Sequence, residues 1–382
     1  MNKVYIIGTA QIPIQENWSK SLKELAGEAG LQAIEETGIG YPDGLFVGNM
    51  MAITANRQAQ FATLMADWLG FHNKPALSVE TACSSGSAAF RLALMAIASG
   101  EMESALVIGA EKMTDSPGPE ITSSLATAAD AELEADMGLS FVGLNALLMR
   151  RYMHEYGWKH EDFSNFSINA HKNAVNNPNA RFQEPISRES FARSPMISDP
   201  INLLDASPVS DGAAAVILSS RPIANGRKPV SIIASASATD TVSLQNRKFG
   251  TRLLAAERST QQAYAQAGLQ PEDIGFFEYH DAFSIMAALS LEAAGFCAAG
   301  QGPRLALENK IAIEGQIPVA TMGGLKARGH PVGATGVYQL VEATLQLQGL
   351  AGKNQVSRNK YALTQNIGGS GSNIVTHILQ SE

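Results

Sequence analysis

Apolar runs of strand length alternate with stretches of helical periodicity, and this alternation occurs twice along the chain. In the first part, the pattern predicts strands at Val4–Thr9, Gly44–Gly48, Ala76–Val79, Ala105–Gly109 and Gly212–Ser219, and helices at Leu22–Glu36, Gln58–Leu69 and Ser84–Ala98. In the second part, it predicts strands at Val230–Ser237, Ile274–Tyr279, Val319–Thr321, Tyr361–Gln365 and Asn373–Leu379, and helices at Thr260–Ala267, Phe283–Ala294 and Thr335–Gly349. Such a pattern is typical of a parallel or mixed sheet covered by helices. The chain is therefore predicted to be an α/β protein of two similar halves.

The alternation is interrupted between residues 112 and 208. This stretch is rich in Asn, Arg and Ser and carries one helical pattern, at Phe141–Glu155. A long irregular stretch in a compact enzyme is more often a functional insertion than a structureless loop. We therefore predict an N-terminal half at residues 1–111 and 209–226, an inserted loop subdomain at 112–208 that covers the substrate, and a C-terminal half at 227–382.

The composition excludes several classes of protein. The 382 residues carry 36 acidic and 28 basic side chains, a net charge of -8 without a basic block, so a nucleic acid is not an expected partner. The two cysteines, Cys83 and Cys297, are too few for a disulfide framework or a four-thiolate zinc site. No apolar run reaches the roughly 18 residues of a membrane span, and neither end carries a signal or lipidation motif. We expect a soluble, cytoplasmic protein without a membrane partner.

Cys83 lies where a predicted strand, Ala76–Val79, runs into a predicted helix, Ser84–Ala98, through a turn of small residues. The positive end of a helix dipole lowers the pKa of a thiol placed there, and the unpaired N–H of Cys83 can face a developing oxyanion. Free cysteines are usually inert core residues. The position at this junction instead favours a nucleophile.

His330 stands between Gly329 and Pro331 in a glycine-rich segment, residues 323–336. Repeated glycines allow the backbone to approach a ligand or another chain segment closely. A histidine held in such a restrained loop suits a general base for a thiol; the alternative is a histidine that caps a turn.

Two further predicted strands end in residues suited to ligand binding. His280 follows the strand at Ile274–Tyr279, and in an open α/β fold ligands bind beyond the carboxyl ends of strands. Asp281, next to it, is predicted to cap the following helix. Residues 364–373 lead from a strand into a glycine turn whose N–H groups could face an anion. This segment has no P-loop lysine, which excludes that kind of nucleotide site.

Together these segments resemble the thiolase family, and the resemblance covers essentially the whole chain. The Cys83 segment is similar to the family's nucleophile signature, and the Gly-His-Pro segment around His330 is similar to its second signature. Three segments are similar to the sterol-carrier-protein-X type and to related archaeal and bacterial thiolases: His280-Asp281-Ala282-Phe283, Arg150–Met153 and His171–Ala174. The resemblance implies a thiolase fold, with two similar βαβαβαββ halves in five α-β-α-β-α layers plus a loop subdomain.

The resemblance also implies roles for individual residues. Cys83 would be acylated by an acyl-CoA after activation by His330. One oxyanion hole would be formed by His330 and a water or donor held by His280, and the other by the N–H groups of Cys83 and Gly368. Ser207 matches a serine that contacts the pantetheine arm of coenzyme A.

The chain departs from the family at the second catalytic cysteine, which shuttles the proton of the enolate carbon. Most thiolases carry that cysteine where this chain has Asn366, and sterol-carrier-type enzymes often carry it where this chain has Ala282. The asparagine that usually opens the second signature is Ala320 here. Cys297 follows a predicted helix and is assigned a structural role. Proton abstraction then falls to one of the two histidines or to a water, in a Cys-His-His set that also resembles ketoacyl synthases.

We therefore expect an acyl-CoA C-acyltransferase that forms or cleaves a β-ketoacyl-CoA, above all acetoacetyl-CoA, by Claisen chemistry through a thioester on Cys83. No metal and no cofactor besides the coenzyme A thioester substrate is expected. Two alternatives stay open: acetyl transfer to a carbon nucleophile other than acetyl-CoA, and a thiolase-like subunit of a complex with an OB-fold acyl-CoA-binding protein and a second condensing enzyme. The resemblance implies a homodimer or a dimer of dimers. Arg247, Lys248 and Arg252 form the nearest basic cluster for the coenzyme A phosphates, although such clusters are more often a solvated face.

Overall fold

The computed structural model describes residues 3–223 and 226–382; residues 1, 2, 224 and 225, which belong to the predicted N-terminal half, lie outside the described part. The strands are β1 (Tyr5–Gln11), β2 (Gly44–Gly48), β3 (Ala76–Val79), β4 (Ser104–Glu111), β5 (Met196–Ser198), β6 (Ile201–Asn202), β7 (Gly212–Ser219), β8 (Val230–Thr239), β9 (Phe276–Glu278), β10 (Tyr361–Gly368) and β11 (Asn373–Ser381). The helices are α1 (Leu22–Thr37), α2 (Phe61–Leu69), α3 (Ser85–Ala98), α4 (Gly118–Ala126), α5 (Phe141–Tyr156), α6 (Ser164–Ala174), α7 (Arg188–Ala192), α8 (Leu254–Ala267), α9 (Ser284–Ala293), α10 (Gly302–Leu307) and α11 (Thr335–Gln348).

The two halves share one strand arrangement. In the first half the order is β3-β2-β4-β7-β1, with β3, β2 and β4 parallel and β7 antiparallel to both β4 and β1. In the second half β9 runs parallel to β10, and β11 runs antiparallel to both β10 and β8. The halves join edge to edge where β1 pairs with β8, through Tyr5–Ser231 and Ile6–Val230. The predicted duplication is therefore visible in strand order and direction.

The predicted strand Val319–Thr321 is wrong. Val319 forms only an isolated parallel bridge to Phe277, at the place that β3 occupies in the first half. Ala320 follows with a φ of 48°, which turns the backbone out of an extended conformation. Thr321 then donates its backbone N–H to the Glu278 carboxylate at 3.0 Å. The other predicted elements are present with shifted ends, and the largest shift is at α8, which begins six residues earlier than predicted, at Leu254.

The protein has five layers, which are held together by three large apolar cores. Helices α1 and α2 pack on the outer face of the first half's strands, and α8 and α9 pack on the outer face of the second half's strands. Helices α3 and α11 lie between the two halves, in a core that takes residues from both sets of strands. The layers therefore follow the order α-β-α-β-α that the resemblance implies.

The two central helices meet at their N-terminal ends because glycines lie at the contact. A Cβ on Gly86 would lie 2.8 Å from the carbonyl oxygen of Gly333, closer than real Cβ contacts allow. The segments that precede the two helices are thereby brought together. Cys83 lies just before α3 and His330 lies just before α11.

Residues 112–208 contain α4 to α7 and a separate two-stranded sheet of β5 and β6. The predicted helix here is confirmed as α5, which ends at Tyr156, one residue later than predicted. Ser140 caps its N-terminus, with a hydroxyl that accepts the N–H of Gly143 at 3.2 Å, and the helix packs against α9 of the second half. Within the two described ranges, no helix is both long and apolar enough to cross a membrane.

Candidate active site

Cys83 lies at the tip of a tight turn between β3 and α3. Two backbone hydrogen bonds close the turn, from Ser84 N–H to the Thr81 oxygen at 3.2 Å and from Ser85 N–H to the Ala82 oxygen at 3.1 Å. Ala82 has a left-handed φ of 53°. This conformation costs an alanine about 1–2 kcal/mol. The strain at the preceding residue fixes the direction in which Cys83 leaves the turn.

The thiol of Cys83 is buried, with 9% of the residue exposed. Burial raises its pKa to about 12, the charge of Glu111 acts in the same direction, and the backbone N–H groups of Cys83 and Gly369 oppose the shift. The expected lowering of this pKa is wrong, because the loss of hydration of the thiolate outweighs the dipole of a helix that begins only at Ser85. The thiol therefore needs a base to remove its proton.

Two buried histidines lie beside Cys83. The sulfur of Cys83 and one ring nitrogen each of His280 and His330 all lie within 4.8 Å of one another. The two imidazole rings are nearly perpendicular, with an interplanar angle of 88° and centroids 5.2 Å apart. Each of the three residues lies in a segment that precedes a helix, so the structure brings together three residues that the sequence places far apart.

The surroundings of His330 leave one ring nitrogen free to accept a proton. Its Nδ1 lies 2.6 Å from Thr335 Oγ1, and this hydroxyl donates to the Pro331 carbonyl oxygen at 3.3 Å. Since a threonine hydroxyl has one proton, Nδ1–H is the donor to Oγ1 and the lone pair is on Nε2. Burial, followed by the charges of His280 and Arg328, holds the pKa of His330 well below its usual range. The ring is therefore neutral at physiological pH.

The surroundings of His280 impose the opposite tautomer. Its Nδ1 lies 3.3 Å from the backbone N–H of Ile367 and 3.1 Å from Asn366 Nδ2. A backbone N–H can only donate, so Nδ1 is an acceptor and the proton of the neutral ring is on Nε2. Burial lowers the pKa of His280 to about 3, and the charge of Arg328 acts in the same direction. His280 is therefore a neutral ring that offers an N–H.

The three residues also have the spacing of a metal-binding group, but the hydrogen bonds of His280 do not suit one. A metal ligand presents a lone pair, and the Nδ1 lone pair of His280 is already used by two donors. Nε2 could bind a metal only if the proton moved to Nδ1, where it would face the N–H of Ile367. The donor set therefore fits thioester chemistry better than a metal centre.

A glycine turn at residues 368–371 lies against the Cys83 turn. A Cβ on Gly368 would collide with the carbonyl oxygen of Thr81, so only glycine allows this approach. The N–H of Gly369 faces the Cys83 sulfur and stabilises the thiolate form. Gly368, which the sequence analysis singled out, is thus at the contact, and Gly369 is a neighbour that the sequence analysis missed.

Two residues of the basic cluster considered for the coenzyme A phosphates, Arg247 and Arg252, have other partners. Arg247 is buried and donates from Nη1 to the carbonyl oxygen of Ser370 at 2.7 Å, which fastens the glycine turn. Arg252 forms an ion pair with Glu257 at 2.5 Å. Arg247 therefore stabilises the glycine turn of the site and does not face solvent.

A cavity of about 340 Å³ opens onto Cys83 and both histidines. Its walls are mainly apolar and include Met50, Met113, Leu125, Phe141, Val142, Phe283, Met286 and Val332. Ser207 also lines the cavity, and its N–H donates to the Ala282 oxygen at 2.8 Å. Ala282, one of the two positions where relatives carry a second cysteine, lines the cavity as well. Asn366, the other position, lies behind His280.

A fully buried ion pair lies behind the histidines. Arg328 Nη1 and Glu342 Oε2 are 2.5 Å apart, and neither side chain is exposed. The pair ties the glycine-rich segment to α11, and the charge of Arg328 contributes to the low pKa values of His280 and His330. The sequence analysis missed this pair because a single arginine in a loop carries no signal of burial.

Glu111, at the end of β4, holds the backbone on another side of Cys83. Its carboxylate accepts the N–H groups of Met50 and Met51 at 3.0 Å and of Gly333 at 2.9 Å. Burial raises the pKa of Glu111 to about 7. Its place at the carboxyl end of a predicted strand was the one sequence signal that could have identified it.

Cys297 lies away from these residues. It is half-buried and packs on the outer core of the second half. Burial, followed by the charge of Glu292, raises its pKa to about 12. This position agrees with the structural role predicted for it.

Comparison with known proteins agrees with this fold. Residues 4–222 match the family model described as "Thiolase, N-terminal domain", and residues 236–381 match the one described as "Thiolase C-terminal domain-like". The chain is 43% identical to an acetyl-CoA acetyltransferase of Methanothermobacter thermautotrophicus, over 99% of each chain. It is 32% identical to sterol carrier protein 2 of Homo sapiens, over 98% of this chain and 72% of that protein.

A solved structure described as an Ltp2-ChsH2(DUF35) aldolase superposes with a TM-score of 0.87 at 27% identity, covering 100% of this chain and 98% of that one. The family models together span both halves with their repeated strand order, and the relatives match the chain almost end to end. The chain therefore belongs to the thiolase family.

Proposed function

We propose that this protein is an acetyl-CoA C-acetyltransferase that forms or cleaves acetoacetyl-CoA through a thioester on Cys83. The observation that carries the proposal is the meeting of Cys83, a proton-accepting His330 and an N–H-donating His280 at one cavity. The acetyl-CoA acetyltransferase relative, at 43% identity, supports the substrate.

In the first half-reaction His330 is the base. Its Nε2 takes the proton of Cys83, and the thiolate attacks the thioester carbonyl of acetyl-CoA. The N–H groups of Cys83 and the Gly368–Gly369 turn stabilise the resulting oxyanion, which is the role that the resemblance implies for Cys83 and Gly368. The tetrahedral intermediate then expels the coenzyme A thiolate, which takes the proton from His330. This step leaves acetyl-Cys83 and a neutral His330.

In the second half-reaction the same base acts again. His330 Nε2 removes a methyl proton from a second acetyl-CoA, while the Nε2–H of His280 stabilises the enolate oxygen. The enolate carbon attacks acetyl-Cys83, and the Cys83 thiolate leaves and recovers the proton from His330. Neither Ala282 nor Asn366 carries a group that titrates, so the base is sought among the histidines. The lone pair on Nε2 makes His330 the base, and the N–H on Nε2 makes His280 the donor.

The rest of the site follows from this assignment. No cofactor besides the coenzyme A thioester is part of the proposal. Ser207, in the cavity wall, is proposed to contact the pantetheine arm, and the apolar wall to take the acyl group. We keep the division into halves at residues 1–111 and 209–226 and at 227–382, with the loop subdomain at 112–208 covering the substrate.

We also propose a homodimer, alone or as part of a dimer of dimers, in the cytoplasm. Strand β3 lies at the edge of its sheet and exposes 52% of Leu77. Helix α3, which follows it, exposes 51% of Met95. An uncovered edge strand beside apolar side chains is a surface that proteins normally cover. The two unpaired cysteines suit a reducing compartment.

The proposal also includes partner proteins. The description of the aldolase neighbour names ChsH2(DUF35) as a second component. We propose that this chain likewise associates with an OB-fold acyl-CoA-binding protein and a second condensing enzyme. Transfer to a non-CoA carbon nucleophile and a purely scaffolding role are not favoured, because the relative at 43% identity is an acetyl-CoA acetyltransferase and the Cys-His-His set is complete.

Intact-protein mass spectrometry after brief incubation with acetyl-CoA tests the proposal. We expect an acetyl adduct on the native chain, free coenzyme A, and then acetoacetyl-CoA. Cys83→Ala removes the adduct, whereas Cys297→Ala, a matched control away from the site, keeps it. A folded native chain that forms no adduct, or an adduct that survives in Cys83→Ala, would show the proposal to be wrong.

A further inference from the structure

We propose that Asn366 is a positioning residue which, with the backbone N–H of Ile367, holds His280 as a hydrogen-bond donor to the enolate. This inference rests on the proposed function, because it assigns the enolate oxygen to His280. It also gives a role to the position where most of the family carries a second cysteine.

The first step is the orientation of Asn366. Its side chain is 1% exposed, and its amide lies 3.1 Å from His280 Nδ1. The N–H of Ile367, at 3.3 Å, makes this Nδ1 an acceptor, so Asn366 must present its NH₂ group to it. Two donors therefore converge on one lone pair, and the single proton of the neutral ring is placed on Nε2.

The second step is the room that the fold gives this amide. The other amide atom, Asn366 Oδ1, is buried without a hydrogen-bond partner among the described residues. A Cβ on Gly336, at the start of α11, would lie 2.5 Å from Oδ1. Because residue 336 is a glycine, the Asn366 amide has room in this position. Its Oδ1 is left without a hydrogen bond while its NH₂ group donates to His280.

The third step is what the ring does in consequence. His280 lines the cavity with Cys83 and His330, while Asn366 lies on its far side. The Nε2–H that Asn366 and the N–H of Ile367 together enforce is the group left to face a substrate oxygen. Because burial and Arg328 keep the ring neutral, loss of the Nε2 proton cannot be offset by protonation of the whole ring.

Asn366→Asp is the sharpest perturbation, since it replaces a donor with an acceptor of the same shape. At pH 8 the carboxylate draws the ring proton to Nδ1 and leaves a lone pair on Nε2. Asn366→Leu is the matched control, because it removes the donor and fills the same space without attracting the proton. Both variants are compared with the native chain after circular dichroism confirms that they are folded.

The direct measurement is a ¹H–¹⁵N correlation spectrum of protein labelled at histidine nitrogens. We expect His280 to carry its proton on Nε2 in the native chain and on Nδ1 in Asn366→Asp. Protonated Nδ1 in the native chain, or an unchanged tautomer in Asn366→Asp, overturns the proposal. Asn366→Leu, which keeps the Ile367 donor, is the second variant should the aspartate fail to fold; there we expect the ¹⁵N resonance of His280 Nδ1 to shift because one of its two donors is lost, and an unchanged resonance overturns the proposal.

The kinetic measurement separates the two half-reactions. We expect the condensation rate of Asn366→Asp to fall by about 10²–10³, the usual effect of losing one oxyanion donor, while acetylation of Cys83 falls far less. Equal losses in both half-reactions, or equal losses in the aspartate and leucine variants, would indicate a packing role and overturn the proposal. If the native chain forms no acetyl-enzyme at all, the proposed function fails, but the spectra still decide the role of Asn366.

Inhibition by ZnCl₂ gives an independent readout. The lone pair freed on His280 Nε2 in Asn366→Asp completes a donor set with Cys83 and His330. We expect the zinc concentration for half-inhibition of acetylation to fall by about 10–100-fold, as for other changes in the residues that orient a metal-binding histidine. No change in zinc sensitivity contradicts the proposed control of the tautomer.

Discussion

The buried pair of Arg328 and Glu342 allows a quantitative prediction about the free energy of unfolding. Neither side chain is exposed, and their charged atoms are 2.5 Å apart. Removing one partner of such a pair leaves an uncompensated buried charge and costs about 3–5 kcal/mol, a large part of the roughly 5–15 kcal/mol that stabilises a folded domain. Replacing both partners with apolar side chains of similar volume is often neutral. We therefore expect Arg328→Met and Glu342→Leu each to lose about 3–5 kcal/mol, and the double variant to lose less than either.

The pH dependence of the single variants distinguishes this explanation from a packing defect. Burial raises the pKa of Glu342, and Arg328 opposes that shift, so Arg328→Met raises the pKa further. The folded-state pKa of such a carboxyl group lies above its unfolded value of about 4.3. At a pH between these two values, the group is protonated in the native state and ionised in the unfolded state. Its contribution to stability is therefore lost as the pH rises through the folded pKa. Because the pKa of Glu342 is about 8 in the native chain and higher in Arg328→Met, the loss in Arg328→Met is expected to be larger at pH 9.5 than at pH 7, whereas Glu342→Leu has no carboxyl group to show this dependence.

Urea unfolding followed by tryptophan fluorescence at both pH values measures these free energies. The three variants and the native chain form a double-mutant cycle. Additive losses in the double variant would refute the reasoning, since they would mean that the two side chains contribute independently. A loss in Arg328→Met that is the same at both pH values would show that the charge of Glu342 is not what the arginine compensates.

Three further outcomes follow from the site. Acetylation of Cys83 by acetyl-CoA is expected to be independent of pH from roughly 8 to 9.5, above the pKa of Glu111 of about 7, because the pKa of His330 lies well below its usual range and that of Cys83 is about 12; a rate that changes tenfold across this range would contradict this. Glu111→Gln removes a charge that raises the thiol pKa, so alkylation of Cys83 by iodoacetamide is expected to accelerate, and to do so more at pH 9 than at pH 6, since the pKa of Glu111 is about 7; equal rates at pH 9 would argue against it. Gly368→Ala places a Cβ against a carbonyl oxygen and is expected to cost about 1–3 kcal/mol of stability and to slow acetylation, whereas Gly118→Ala, whose Cβ would meet nothing within 4 Å, is the neutral control in the same two assays.

Much of the fold could be predicted because it depends on local patterns. Apolar alternation marked both halves, and the helix starts at Leu22 and Phe141 coincide with the residues that follow serine caps. The segment Val319–Thr321 failed because its apolar character is local, whereas the Glu278 carboxylate that captures Thr321 comes from another element. The residues of the site could be found for a similar reason: Cys83, His280 and His330 each stand just before a helix, where local sequence indicates a functional position.

The protonation states of these residues could not be predicted, because they depend on contacts between distant segments. The dipole of one helix can be inferred from the sequence around Cys83, but the burial that reverses the sign of the pKa shift cannot. The sequence left open whether His280 or His330 is the base. The proposed assignment of His330 as the base rests on Thr335 on one side and on the N–H of Ile367, 87 positions from His280, on the other.

In the proposed mechanism, the absence of a second thiol does not leave the site without a base. Two neutral histidines with 5.2 Å between ring centres would be redundant if they had the same tautomer. Their hydrogen bonds make them different: His330 keeps a lone pair toward the reacting atoms, and His280 keeps an N–H. Two groups of the same kind in different environments have different pKa values and protonation states. Active sites commonly use this difference to make one group the acid and the other the base. A cysteine at position 366 would remove the amide donor and leave the N–H of Ile367 to hold His280 Nδ1 without it, so the asparagine suits the proposed mechanism in which His330 is the single base.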